Sequence, residues 1–386
     1  RIDTSNHLLH YPNKPLVLGR LHKAFNNDKM ATGQNIVVAI CQYNGYNCDD
    51  AIIGNKSSLD MGLFNSSYFK MYQESEKIDT KQGISETFYN PLYETKDQEN
   101  QEIGDEDVEG LADSRQMSHF EEYKHLDRNG FIKEGTYLKG GEVMIGKKIK
   151  YVNGAGEEEV RDMSKTVKKD NVRSVVDKVF SCQTNANGDR MVKVRTVQYR
   201  RPEIGDKFAS RCAQKGTFGI LLDKQDMPYT EDGIIPDILL SPYAYPKRMT
   251  VSQFIELLFG NLAVDLGIFG LGSPLEPMNP SQISDVLLKL GLTDSGDRVL
   301  YNGYTGEQLN VKIFSGVMYY QRLKYMVGDK INTRIAGNRD ENNVPVPGGA
   351  YTFKERQVVP GRANGGGLRI GEMERDAIIS HGAMGF

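Results

Sequence analysis

The chain has no tryptophan, no Cys-x-x-Cys pair and no apolar run approaching the roughly 18 residues that a membrane helix needs. It also has little net charge: 48 Lys and Arg stand against 51 Asp and Glu, a formal −3 over 386 residues. Each shortage excludes something. The four cysteines, Cys41, Cys48, Cys182 and Cys212, form no Cys/His set with zinc-finger spacing, so no zinc site is expected. They fit a reduced intracellular compartment, nucleus or cytoplasm, better than a disulfide-stapled secreted scaffold. No signal peptide or membrane span is visible, so no membrane partner is expected. A near-neutral chain is not a globally basic binder, and any contact with nucleic acid must rest on a local face. The absence of tryptophan decides nothing. The length allows two or three domains with a sizeable core. Starting at Arg1 and stopping at Phe386 inside a helix-like pattern, the chain reads as a piece of a longer polypeptide.

Periodicity gives a mixed α/β, β-rich, multidomain chain. Residues 35–41 are an apolar β-branched run, expected as a buried strand that feeds a Tyr/Asn/Gly loop carrying Asp49 and Asp50. Residues 94–109 are strongly acidic and read as a solvated loop. Strands are expected over 143–149 and 191–197. Residues 175–182 and 190–197 flank a glycine-bearing turn and read as a hairpin. Short strands are expected at 218–222 and 234–240. Thr250 to Gln253 has capping-box spacing before an apolar helical pattern through Leu266. A second helix is expected over 281–290, stopped at Gly291. Residues 337–350, rich in Gly, Asn and Pro, read as a loop.

Four groups of residues carry candidate chemistry. Gly205-Asp206-Lys207-Phe208-Ala209-Ser210-Arg211-Cys212-Ala213-Gln214-Lys215-Gly216 holds three cations four residues apart, opened and closed by glycine. Such a run presents Lys207, Arg211 and Lys215 to a polyanion, or is a solvated basic loop or helix face. Asp49 and Asp50 are adjacent carboxylates at a strand end. They suit Mg²⁺, which prefers oxygen ligands and keeps its waters, or they form an ordinary Asx-type turn. Arg248 follows Pro246 and precedes a helix start, as a phosphate fork or a surface cation. Arg362 lies in and Arg369 just after the glycine-rich segment 361–367, which suits a sugar-phosphate backbone or a flexible linker. The six histidines form no metal or triad pattern.

The lysine-bearing run is very similar to a motif of the second-largest, beta-like subunit of multisubunit DNA-dependent RNA polymerases. Four further stretches resemble that subunit in the same order. They are Gly33-Gln34-Asn35 with Tyr43 to Asp50; Asn55 to Phe64; Asp226-Met227-Pro228 to Pro246-Lys247-Arg248-Met249-Thr250; and Gly367 to Asp376. The resemblance implies a hybrid-binding domain containing a double-psi β-barrel, split over 1–65 and 201–350. It implies a wall or flap insertion over 66–200, and a switch loop leading to the C-terminal clamp region over 351–386. It also implies site roles. Asp50, with Asp49 as weaker partner, would help hold the second magnesium, shared with the largest subunit. Lys207 and Lys215 would line the path of the RNA 3′ end and the nucleotide. Arg248 would grip the triphosphate. Arg211, Lys330, Arg334, Arg362 and Arg369 would contact nucleic acid. Implied partners are the largest and other polymerase subunits, template DNA, the RNA–DNA hybrid and nucleoside triphosphates.

The chain departs from the family pattern at several places. Asp49 stands where Glu is more usual, and Cys212-Ala213 stands where the family has His-Gly. Ser241-Pro242-Tyr243 replaces Asn-Pro-His, and Tyr325 also replaces a histidine. Three lost histidines point to a divergent lineage such as a large DNA virus, for which a viral factory or virion would be the compartment. The expectation is a subunit of a nucleotidyltransferase that is inactive alone. The alternative is a non-catalytic nucleic-acid-binding or assembly module.

Overall fold

Strand Gln34–Ile40 buries both its faces: Ile36, Val38 and Ile40 face one core, while Ala39 faces another with Cys41 just beyond. That two-sided burial explains its unbroken apolar run, and it sits between a parallel neighbour, Ile238–Leu240, and an antiparallel one, Ile313–Arg322. In this computed structural model the described residues are 4–79, 83–93, 120–152, 158–167, 174–273, 279–335 and 349–386. The acidic stretch expected at 94–109, most of the loop expected at 337–350 and His119 lie outside them.

The described residues are β-rich with few helices. The chain divides into two compact units: Arg1–Asn6, Phe69–Gln198 and Ile331–Phe386 form the first; His7–Tyr68 and Tyr199–Lys330 form the second.

The second unit is built on a closed sheet. Its strands run in the order Lys207–Ser210, Lys215–Leu222, Ala51–Asn55, Ile238–Leu240, Gln34–Ile40, Ile313–Arg322. Phe208 to Ser210 then pair back onto Tyr320 to Arg322, which closes a ring of six strands, while a seventh, Asp297–Arg298, pairs with the start of Ile313–Arg322. Its core includes Ile36, Ile52, Phe208, Phe218, Ile238 and Met318. Phe208 lies 4.3 Å from Phe218 and 4.9 Å from Phe64, centroid to centroid. Helix Val251–Leu266 packs on strand Ile313–Arg322 at closest approach through Gly260, where a Cβ would meet the Val317 carbonyl at 2.1 Å. Asn261 from this helix donates to the Ser315 carbonyl at 2.9 Å and accepts from the Val317 amide at 3.2 Å. It thereby completes backbone groups that the sheet leaves open. Helix Pro280–Lys289 starts one residue before its expected position, capped by Asn279, and Gly291 follows its end.

In the first unit, Ser174–Thr184 and Arg190–Arg200 form the expected antiparallel hairpin, turning at Gly188 with φ +87°. The strand expected over 143–149 is two strands, Val143–Ile145 and Lys147–Val152. They join different partners: the first pairs with Lys165–Thr166, the second with Glu158–Asp162 and Ile84–Phe88. Gly146 marks the break, because a Cβ there would lie 2.1 Å from the Tyr89 carbonyl oxygen. Among the described residues no helix is long and apolar enough to cross a membrane.

Candidate functional site

The three cations spaced by four residues are not on a helix or in an open loop. They belong to a tight β-hairpin, Lys207–Ser210 and Lys215–Leu222, with Arg211 in the turn. Lys207 pairs with Thr217 and Ala209 with Lys215, so Lys207 and Lys215 share one face of the ladder. Phe208 opposite Gly216 takes the other face, towards the core. Period-two alternation thus turns both lysines outward together.

Gly216 brings the acidic loop alongside. A Cβ there would lie 2.6 Å from the Ile52 side chain and 2.7 Å from the Asp50 carbonyl, and the Thr217 amide donates to that carbonyl at 3.1 Å. The loop is anchored from behind. Buried Asn47 donates to the Cys41 carbonyl at 2.6 Å and accepts from the Tyr43 amide at 3.2 Å. Tyr43 donates its hydroxyl to Asp226 O at 2.8 Å, and its own pKa is pushed up to about 12 by desolvation. Asp49 and Asp50 remain exposed at the loop end.

Arg248 closes the group. It is the last residue of a short helix, Ala244–Arg248, and Met249 follows in the left-handed conformation. Its Nη2 donates to Asp50 Oδ2 at 2.6 Å, and its Nη1 to Gln214 Oε1 at 2.7 Å. The Asp50 hydrogen bond raises the guanidinium pKa further. One cleft is lined by Asp49, Asp50, Gln214, Lys215, Tyr245 and Arg248. Among the described residues the Lys207 and Lys215 ammonium groups have no ion-pair partner.

The expected capping box at Thr250 does not form. Helix Val251–Leu266 has no side-chain cap, and Thr250 Oγ1 accepts from Gln214 Nε2 at 2.6 Å. Gln253, the other half of the box, is fully buried and donates to the Tyr245 hydroxyl at 3.0 Å. Tertiary contacts have claimed both residues.

The other candidates fall elsewhere. Arg211 donates to Glu256 Oε1 at 2.6 Å and to the Val17 carbonyl at 2.7 Å, with its guanidinium 5.3 Å from the Tyr319 ring. Lys330 lies 4.9 Å over the Tyr325 ring. Arg334, Arg362 and Arg369 belong to the first unit. Arg334 donates to the Gly365 and Ala350 carbonyls, Arg362 opens a short 3-10 turn, and Arg369 is exposed. Sequence reasoning gave no role to Gln214, nor to Asp206 and Arg322, whose side chains pair at 2.8 Å and are each 3% exposed. Asp206 and Gln214 both sit inside the lysine-bearing run, so the motif held them, but neither carries the charge pattern that drew attention to its cations; Arg322 had no signal.

Two carboxylates, an arginine and a lysine around one cleft, with a second lysine on the same ladder face, form a site whose chemistry suits phosphorylated ligands. The family model for RNA polymerase Rpb2, domain 6, matches residues 1–343. The chain is 38% identical over 393 residues to the DNA-directed RNA polymerase II subunit RPB2 of Encephalitozoon cuniculi, covering 100% of this chain and 31% of that protein. It is 39% identical to the DNA-directed RNA polymerase II subunit 2 of Arabidopsis thaliana, covering 100% and 30%. It is 38% identical to the DNA-directed RNA polymerase subunit Rpo2 of Sulfolobus acidocaldarius, covering 99% and 32%. The chain therefore belongs to the family of second-largest RNA polymerase subunits, and spans about a third of the length of these relatives.

Proposed function

We propose that this chain supplies the triphosphate side of the active site in a DNA-directed RNA polymerase and helps hold the RNA–DNA hybrid. The observation that carries this reading is the convergence of Asp50, Lys215 and Arg248 on one cleft, with Lys207 on the same ladder face as Lys215. In template-directed nucleotidyl transfer the RNA 3′-hydroxyl attacks the α-phosphate and pyrophosphate leaves. Charge spreads over non-bridging oxygens, and fixed cations stabilise it with little covalent work by the protein. Lys207 and Lys215 are free to act as such point charges, and Arg248 offers a planar fork.

Asp49 and Asp50 fit a hydrated magnesium ion. They give carboxylate oxygens at an exposed loop end, and among the described residues no group of three His, Cys, Asp or Glu converges to cage a metal. Such an ion would take its other ligands from water, substrate and the largest subunit, and would neutralise triphosphate charge. The six-stranded ring is the candidate double-psi barrel of a hybrid-binding domain, and the 69–198 segment the candidate wall. The remaining partners would be template DNA and the other polymerase subunits, inside the cell.

Asp50→Ala in the assembled enzyme tests this reading. Losing one of the two carboxylates that would hold the magnesium ion slows nucleotide addition about tenfold to a hundredfold, with hybrid affinity near normal. Unchanged addition would instead favour a binding module without chemistry.

A further inference from the structure

Among the residues lining the cleft, Gln214 is a buried polar side chain that touches Arg248 and has no role so far. It is 7% exposed, and its amide is satisfied at both ends. Oε1 accepts from Arg248 Nη1 at 2.7 Å, and Nε2 donates to Thr250 Oγ1 at 2.6 Å. Asp50 takes the other nitrogen of the same guanidinium at 2.6 Å. The two holds on Arg248 differ in kind. The Asp50 and Arg248 side chains are 47% and 39% exposed, so water and salt compete for that pair and it exchanges readily. The Gln214 contact is part-buried, and breaking it would strand the amide of a residue that is itself buried.

The backbone gives an independent observation. Three non-glycine residues in the left-handed region, Asp49 (φ +50°), Ala213 (φ +61°) and Met249 (φ +52°), each adjoin one of the three interacting residues, Asp50, Gln214 and Arg248. Aspartate tolerates that conformation; alanine and methionine do so at a cost. Thr250 adds a fourth local sacrifice, since it gives its hydroxyl to Gln214 and leaves the following helix without a side-chain cap. Local preferences are overridden at Ala213, Met249 and Thr250, the pattern expected where geometry is held for a purpose.

We propose that Gln214 is the positioning residue for Arg248. It fixes one nitrogen of the guanidinium while the other exchanges Asp50 for a phosphate oxygen of the incoming nucleoside triphosphate. This deepens the function proposed above and rests on it. The guanidinium is planar and rigid, so fixing Nη1 sets the direction of Nη2. The exchange conserves hydrogen bonds, with one anionic oxygen replacing another. Gln214 is neutral, so Arg248 keeps its charge for the triphosphate once Asp50 releases it.

The test uses the assembled polymerase carrying the full-length subunit, on an RNA–DNA scaffold, with KM and kcat measured for single-nucleotide addition. Gln214→Leu keeps side-chain bulk and removes both hydrogen bonds. It should raise the triphosphate KM about tenfold while kcat changes less than about twofold and scaffold affinity holds. Thr250→Val keeps the shape and removes the acceptor, and should raise KM about twofold to threefold. In an Arg248→Ala background, Gln214→Leu should add nothing. If it adds its full effect there, or if Arg248→Ala raises KM while neither Gln214→Leu nor Thr250→Val does, Gln214 does not act through Arg248. The reading of the cleft would then stand without it. If Arg248→Ala itself leaves KM unchanged, that reading fails and the role of Gln214 fails with it. Should Gln214→Leu not assemble, Thr250→Val carries the comparison, and an unchanged KM in it overturns the proposal.

Discussion

Replacing Arg322 with methionine removes a guanidinium that makes five hydrogen bonds. It donates to the Phe64, Arg200 and Arg201 carbonyls, to Ser66 Oγ and to Asp206 Oδ2, over distances of 2.8 to 3.1 Å. Phe64 and Ser66 lie where the chain leaves the second unit, and Arg200 and Arg201 where it returns. Desolvation lowers the Arg322 pKa in spite of Asp206, so burial alone disfavours the charge and its contacts keep it there. Asp206 also accepts from the Val327 amide at 2.9 Å and immediately precedes Lys207, so it fixes the start of the lysine hairpin. Removing one partner of a buried pair costs about 3–5 kcal/mol, because the other charge is left uncompensated. Arg322→Met should therefore lose that much in urea unfolding of the purified chain. The double variant Arg322→Met/Asp206→Leu removes the stranded charge and should regain part of the loss. It should still fall short by about 1–3 kcal/mol for carbonyls left without donors. A single variant within about 0.5 kcal/mol of the parent would refute the reasoning. So would a double variant equal to the sum of its singles, since contacting pairs do not add.

Three further outcomes are expected. Arg211 is held by Glu256 and the Val17 carbonyl, so Arg211→Ala should slow nucleotide addition without changing the salt dependence of hybrid binding. A fall in that slope of about 0.7–0.9 would mean that Arg211 contacts a phosphate. Ala213→Gly should stabilise by about 0.5–1 kcal/mol in thermal melts, since the left-handed cost of about 1–2 kcal/mol exceeds the extra unfolded freedom of glycine. His7, stacked on Tyr68 at 4.6 Å, has its pKa lowered from 6.5, first by desolvation and then by Arg200. The fold favours its neutral form, so its contribution is complete above pH 6.5 and is lost as pH falls through the lowered value. His7→Phe should flatten the acid side of a stability–pH profile, and an unchanged profile would assign that slope to other groups.

Much of the secondary structure was legible because burial is written as local pattern. The run at 35–41, the helix through Leu266 and the 174–200 hairpin each carry their own apolar periodicity and turn chemistry. The ring closure was not legible. Phe208 to Ser210 meet Tyr320 to Arg322 across more than a hundred residues, and nothing near either segment announces the pairing. The spacing of Lys207, Arg211 and Lys215 left open a basic loop or a helix face, yet Phe208 and Phe218 anchor a hairpin. Four-residue spacing cannot separate a helix from a tight turn flanked by short strands.

The candidate site shows the same limit in a sharper form. Charged residues stood out because cations and carboxylates are recognisable one at a time, but a site also needs groups that aim them, and these are chemically quiet. Gln214 is a neutral amide inside a run of cations, and it matters only because Arg248 and Thr250 arrive from elsewhere in the chain. Thr250 misled for the complementary reason: its spacing to Gln253 matched a local motif, and a tertiary partner outbid that motif. Ala213 and Met249 are not turn formers, so no sequence rule places them in the left-handed region, although both adjoin the residues that hold one another. A glycine at 213, as the resemblance implies for the family, would have advertised the turn. With alanine there the turn persists against local preference, so it is imposed by what surrounds it. That makes Ala213→Gly a test of the site as well as of stability: if the surroundings dictate the turn, relieving the strain should leave the Gln214–Arg248 geometry, and hence the triphosphate KM, unchanged.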